Sequence, residues 1–363
     1  MTTPLAGRLK RQIAQTGPIP VSDYMALCLF DPQDGYYTTG QPFGRDGDFI
    51  TAPEISQMFG ELVAIWLLAA WHAAGSPKPA VIAEIGPGRG TLMADMLRSL
   101  EKIAPDFPAS AEIGMIETSP RLAGMQRETL GDRAARIRWT ETVDQLSGLP
   151  LFMVGNELFD AVPARQYVKM DGCWLERMVG IDQAGELEFV AGAGGIDPAL
   201  LPAGAGDAPD GTVFETAPAR EAMAAEIGGR VATHGGAALF FDYGHLEPGF
   251  GDTLQAVRGH RPVDIFSAPG QADLTTHVDF AALVTAARAA GADTAFLTQG
   301  EFLLRMGVVE RAGRLGADAD AGARQRIEAE VERLAGPQGM GDLFKVMAMF
   351  ERGVALGPFA AAS

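Results

Sequence analysis

An α/β fold built on a parallel sheet is what this sequence predicts, and three observations carry it. From residue 60 onward, apolar runs of strand length alternate with stretches of helical periodicity. The first run breaks into three alternating glycines and then turns helical, VIAEIGPGRGTL (81–92). The run LFMVGNEL (151–158) is apolar on both of its faces, as a strand in the centre of a covered sheet must be.

The elements follow in order. Leu5, Leu9 and Ile13 stand at i, i+4 and i+8, which predicts a short amphipathic helix. The same stretch holds three basic residues and no acid before Asp23, so an organelle presequence is the other reading. It lacks the apolar core of a secretory signal. LVAIWLLAAW (62–71) reads as a buried helix, well short of the roughly 20 residues that cross a bilayer. AVIAEI (80–85) is a buried strand. TLMADMLRSLEK (91–102) sets Leu92, Met93, Met96, Leu97 and Leu100 on one helical face. EIGMIE (112–117) is the second strand. SPRLAGMQRETLG (119–131) opens on Ser-Pro and closes on Gly, the punctuation of a helix. ARIRWT (135–140), LFMVGNEL (151–158) and AALFFDYG (237–244) are the third, fourth and fifth strands. VDFAALVTAARAAG (278–291) is a helix, and DTAFLTQ (293–299) and FKVMAMFER (344–352) are the last strands. Strands joined through helices require right-handed crossovers in one sheet.

Three segments depart from that rhythm. Residues 165–192 hold strand-like pieces separated by Asp-Gly and Ala-Gly turns, which predicts antiparallel hairpins inserted after the fourth strand. Their open edges are available for pairing between two copies of the chain, so a homodimer is an expectation. Residues 191–211 are rich in Gly, Ala and Pro and read as a mobile connection. Residues 300–341 are helical and charged.

Composition excludes whole classes of function. A net charge of −17 repels nucleic acid and anionic membranes and favours a cationic partner, such as a segment bearing arginine. Its simpler reading is solubility. Two cysteines, Cys28 and Cys173, make no disulfide framework and no zinc spacing, so a reducing compartment is expected. The five histidines are scattered, and no metal is expected.

The glycine turn reads E-x-G-x-G-x-G, with Glu84 at the strand end, then Gly86, Gly88 and Gly90. A dinucleotide site needs G-x-G-x-x-G, with its ribose acid about 20 residues on. Here the candidate acid, Glu117, ends the second strand, 27 residues past Gly90. S-adenosylmethionine differs from a dinucleotide in having no phosphate. Its cationic end suits nearby carboxylates, and an acid at the end of strand two offers two oxygens to the ribose hydroxyls. Glu84, Gly86, Gly88, Gly90 and Glu117 together fit a methyltransferase better than a dehydrogenase. A purely structural turn is the alternative.

Strand four ends in GNELFDAVPARQY (155–167). Ligands of open α/β sheets bind beyond the carboxyl ends of the strands. Asn156, Glu157 and Asp160 at that edge would face a methyl donor, Asn156 counting toward cofactor as well as catalysis. Carboxylates there can hold a substrate cation, align its nitrogen and accept a proton. The plainer reading has Asn156 and Asp160 capping a turn. Upstream, FGRDGDFITAPEISQMFGE (43–61) has the look of a lid, or of an ordinary loop before a helix.

Those motifs resemble the MidA family, the mitochondrial complex I assembly-factor methyltransferases and their bacterial relatives. The resemblance runs over nearly the whole chain. It includes DGYY (34–37), GDFITAPEISQMFGE (47–61), EIGPGRGTLMAD (84–95), GNELFDAVPARQ (155–166), DYGH (242–245) and APGQADLTTHVDF (268–280). GDFIT-x-PEIS and NE-x-FDA-x-P are more specific than the glycine motif. The resemblance implies a class I S-adenosylmethionine-dependent methyltransferase fold, with a Rossmann-like seven-stranded sheet, a β-hairpin insertion and helical additions at both ends. It also implies transfer to an arginine ω-nitrogen of the 49 kDa subunit of complex I, giving symmetric dimethylarginine. The family's cofactor turn falls on Gly86, Gly88 and Gly90, its ribose acid on Glu117, and its strand-four motif on Asn156, Glu157 and Asp160. The two-glutamate loop of general protein arginine methyltransferases is missing, so Glu157 and Asp160 rest on position.

The expected division is an N-terminal helical and lid segment (1–58), a core in two parts (59–160 and 212–300), a β-rich insertion (161–211), a helical insertion (301–342) and a last strand with a tail (343–363). A bacterial cytoplasmic protein is expected, or a mitochondrial matrix protein if the source is eukaryotic. The rival readings are a methyltransferase for another protein or a small molecule, a cofactor-binding assembly chaperone, and, more distantly, a dehydrogenase.

Overall fold

The seven strands expected from the alternation all form, and they share one sheet. They are β1 (Ala80–Ile85), β2 (Ala111–Ile116), β3 (Ile137–Thr140), β4 (Leu151–Asn156), β5 (Gly236–His245), β6 (Asp293–Thr298) and β7 (Phe344–Phe350). A computed structural model describes residues 3–39 and 50–359. Along the sheet the order is β3-β2-β1-β4-β5-β7-β6. The pairs from β3 to β5 are parallel. The sheet is not parallel throughout, because β7 runs antiparallel to both β5 and β6. The register gives the reason. Thr298 at the end of β6 lies opposite Lys345 at the start of β7. The helical segment between them therefore returns the chain to the end of the sheet it left, and β7 enters in the opposite sense.

The chain divides into two compact units, each assembled from three separated segments. One comprises Ile50–Leu158, Ala222–Gly244 and Ala282–Ser363, and contains the sheet. The other comprises Met1–Phe49, Phe159–Glu221 and His245–Ala281.

In the sheet unit, β1 is buried from end to end and β4 is buried through Gly155, as strands covered on both faces must be. The Gln57–Ala73 helix, capped by the Ser56 hydroxyl on the Met58 N–H, buries Phe59, Leu62, Val63, Trp66 and Leu67. No helix among the described residues is long and apolar enough to cross a membrane. Aromatic rings meet edge to face through the core, with Phe59 on Phe241 at 4.8 Å, Phe241 on Phe302 at 5.3 Å and Phe107 on Phe152 at 5.5 Å. The charged segment before β7 is helical as expected, opening on a Thr298–Glu301 capping box.

In the second unit the Pro4–Thr16 helix follows its sequence signals. The Thr3 hydroxyl accepts from Ala6, proline holds the first turn, and Leu5, Leu9 and Ile13 are buried. They pack with Tyr24, Cys28, Val179 and Leu187. The expected hairpins are present as the antiparallel strands Arg165–Met170, Cys173–Ile181 and Leu187–Gly195. Asp171 and Gly172 take φ of 50° and 76°, as a two-residue hairpin turn of left-handed residues demands. The Val213–Thr216 strand covers the outer side of Arg165–Met170. The stretch read as a mobile connection begins as strand, up to Gly195, and beyond that is tied down. Lys169, almost fully buried, donates to the Ala205 and Gly206 carbonyls, and the Trp174 indole also donates to Ala205. A further small sheet, Gln255–Arg258, Arg261–Val263 and Asp273–Thr275, was not legible in the sequence.

Candidate active site

The sheet order reverses between β1 and β4, so the carboxyl ends of these strands open the crevice where α/β proteins hold ligands. Register places the candidate residues there. Ile85 lies opposite Ile116 on one side and Gly155 on the other. The glycine turn, Glu117 and the Asn156–Glu157 pair therefore leave three neighbouring strands at the same level.

All three glycines of the turn adopt positive φ, 63° at Gly86, 51° at Gly88 and 80° at Gly90, which L side chains rarely tolerate. Space matters as much as strain at Gly86, because a Cβ there would lie 2.9 Å from Leu158 Cδ1. Gly90 begins the Thr91–Ile103 helix without a side-chain cap and with no acid in the first turn. Glu84 supplies what the turn lacks. Its carboxylate accepts from the Met93 N–H, while Glu84 itself is 3% exposed. Burial pushes its pKa well above the ordinary carboxylate range, and Oε2 is a buried oxygen with no hydrogen-bond partner. A buried acceptor of this kind is what a cationic ligand would satisfy.

Glu117 follows β2, its N–H bonded to the Thr140 carbonyl. One carboxylate oxygen accepts from the Ser119 N–H at 2.7 Å and the other from Gln126 Nε2 at 2.9 Å. Burial raises its pKa, and these donors, with Arg121, pull it back. At the end of β4, Asn156 Nδ2 donates to Glu157 Oε1 at 3.0 Å, leaving Asn156 Oδ1 buried with no hydrogen-bond partner. Glu157 takes φ 51°, and its N–H bonds the Phe241 carbonyl at 2.8 Å.

Asp160 belongs to the second unit, apart from these residues in the division of the chain. There Arg220, 2% exposed, donates to the carbonyls of Asp160, Val162 and His277 and to the Thr276 hydroxyl. Of the lid reading, residues 43–49 lie outside the described residues. The remainder forms the short Ala52–Ile55 helix, where Glu54 stands 3.5 Å from Arg89 of the glycine turn, and the start of the Gln57–Ala73 helix.

Sequence reasoning missed Gln126, Arg220 and the Glu54–Arg89 pair. Gln126 had a signal, a polar residue in helical register with Leu122, Ala123 and Leu130, and it is fully buried. Arg220 had one too, a basic residue in the first turn of the Pro218–His234 helix, where the macrodipole favours acids.

A family model of S-adenosyl-L-methionine-dependent methyltransferases matches residues 62–298, more than half of the chain. The chain belongs to this MidA-like methyltransferase family. Among the relatives of this MidA-like chain is the protein arginine methyltransferase NDUFAF7 homolog, mitochondrial, of Drosophila melanogaster, 34% identical over 95% of this chain and 84% of the relative. The Bos taurus protein arginine methyltransferase NDUFAF7, mitochondrial, is 34% identical over 96% and 83%. A crystal structure from Burkholderia thailandensis, bound to S-adenosyl-homocysteine, is 34% identical and superposes with a TM-score of 0.86, covering 99% of this chain and 95% of that one.

This MidA-like chain is accordingly a methyltransferase that uses S-adenosylmethionine, on a methyltransferase fold. The residues at the strand ends fit that cofactor. The turn offers backbone where a Cβ at Gly86 would clash, and the free oxygens of Glu84 and Asn156 await donors.

Proposed function

We propose that this MidA-like methyltransferase acts on protein and transfers its methyl group to an arginine ω-nitrogen. Glu157 carries the acceptor chemistry in this reading. One observation supports the assignment, a non-glycine residue held at φ 51° just past the end of the central strand, its carboxylate oriented by Asn156. Backbone strain of that kind costs about 1–3 kcal/mol and persists where a side chain is needed at one place.

When bound, S-adenosylmethionine supplies an electrophilic methyl carbon on a sulfonium. Glu117 takes the ribose hydroxyls, the glycine turn receives the methionine end through its backbone, and Glu84 and Asn156 balance the cationic end. Glu157 draws the guanidinium's positive charge to one side, turns a nitrogen toward the methyl group and accepts the proton that nitrogen loses.

The relatives' names, protein arginine methyltransferase NDUFAF7, support a protein acceptor. The finer reading, from the family resemblance, is symmetric dimethylation of an arginine on the 49 kDa subunit of complex I, in support of its assembly. It places the enzyme in the cytoplasm of a bacterium, or in the matrix in a eukaryote. A charge of −17 suits a basic acceptor segment. The test is mass spectrometry of that subunit from cells with and without this gene. Dimethylarginine is expected only with the gene, and an unmodified subunit in both would refute the target.

A further inference from the structure

We infer that Gln126 is a positioning residue for cofactor binding, holding the ribose acid and the glycine turn in register through the two hydrogens of one side-chain amide. This rests on the reading of Glu117 as the ribose acid. Gln126 Nε2 donates to the Gly88 carbonyl at 2.9 Å and to Glu117 Oε2 at 2.9 Å. Trp139 Nε1 donates to Gln126 Oε1 at 2.9 Å.

That last bond fixes the sense of the other two. An indole N–H is only ever a donor, so the amide oxygen must face it, and both amide hydrogens must then face the carbonyl and the carboxylate. Gln126 is fully buried, so its amide has to find its partners within the protein. Packing adds a second constraint, since a Cβ on Gly90 would lie 3.4 Å from Gln126 Cα and Cγ. Gln126 thus backs Gly88 and Gly90 and orients Glu117 through one of its two carboxylate oxygens. Two cations stand nearby on the same helix. Arg121 acts on Glu117, and Arg127 lies over the Trp139 ring at 4.2 Å. Neither replaces the amide, because neither donates to Gly88 and Glu117 together.

The test is calorimetric binding of S-adenosylhomocysteine to the full chain and to three variants, at neutral pH and at successively lower pH. Q126M keeps the volume and removes both donors, and its affinity should fall about ten- to a hundredfold. Q126E puts a carboxyl beside Glu117. It should bind as weakly at the upper pH and recover as pH falls, because the proton the two carboxyls then share restores a donor. The native chain should show the opposite slope, weakening as Glu117 takes up a proton. A residue that merely fills space would not reverse the slope. Native-like binding and slope in both variants would overturn the inference, and if Q126E does not fold, Q126M decides alone. E117A separates the two readings. If it binds like the native chain, the ribose assignment and this inference fall together. If it binds poorly while Q126M and Q126E bind normally, only this inference falls.

Discussion

Two parallel strands leave the middle of this sheet by the same kind of turn, and they make it with opposite residues. After β1 the first residue is Gly86 at φ 63°. After β4 it is Glu157 at φ 51° that steps into the left-handed region. Glycine enters that region freely, and a glutamate does so at a cost. The first turn needs its backbone close to a ligand, so any side chain would obstruct it. In the proposed mechanism the second needs a particular carboxylate beyond the strand end, which would account for the strain the fold accepts there. On the proposed assignments, the same local geometry separates a binding turn from a reacting one.

The largest effect should come from the reacting turn. Glu157→Gln should lower methyl transfer by about 10²–10⁴-fold, the worth of a general base, and leave S-adenosylhomocysteine affinity nearly unchanged. Radiolabel transfer and calorimetry read the two quantities separately, and retained turnover would erase the contrast between the turns. Glu157→Gly sharpens it, since the backbone relaxes and the melting temperature should rise while transfer is lost.

Next comes the loop that follows Glu157. Arg220→Met leaves the half-buried Val162 and His277 carbonyls without their guanidinium donor, and unfolding in urea should show a loss of about 2–4 kcal/mol. At the binding turn, Gly86→Ala forces a Cβ into the left-handed region and against Leu158. It should cost about 1–2 kcal/mol of stability and weaken cofactor binding, with little further change in turnover at saturating cofactor. A drop in turnover as large as that of Glu157→Gln would show that the turns share one role.

Glu84→Gln should have the smallest effect. Burial raises the Glu84 pKa in the folded chain above the ordinary 4.5. The folded state therefore favours the protonated form, and that contribution is full below about pH 4.5 and is lost as pH rises through the folded value. Without ligand, Glu84→Gln should melt higher than the native chain, by a margin that widens with rising pH over that interval. The native chain should recover the difference when S-adenosylmethionine is added. An equal margin at every pH would mean that Glu84 titrates alike in the folded and unfolded chains, and that burial does not raise its pKa.

Much of this was legible because strand and helix periodicities differ and glycine marks positive φ. The seven strands, the uncapped glycine turn and the Asp171–Gly172 hairpin all carry signals within a few residues of themselves. The antiparallel sense of β7 carries none, since an apolar run reads the same in either direction. The anchors of residues 196–211 were hidden for a related reason. Lys169 looks like any exposed lysine until its carbonyl partners, some 36 residues away, fold over it. Gln126 and Arg220 broke local rules, a polar residue on an apolar helix stripe and a cation at a helix start. Such violations mark sites more sharply than motifs do, provided the eye is set for them.

β7 inserts between β5 and β6, and it is the last of the seven to be synthesised. While the ribosome is still making residues 299–343, β5 presents an apolar edge with no neighbour and β6 has no sheet to join. At about 5–20 residues per second that interval lasts a few seconds. The nascent chain is then most open to aggregation, and a holding chaperone has the most to offer it. A premature stop in the helical segment would leave both strands stranded for good, so a truncated product should go to proteolysis rather than persist as a half-active enzyme.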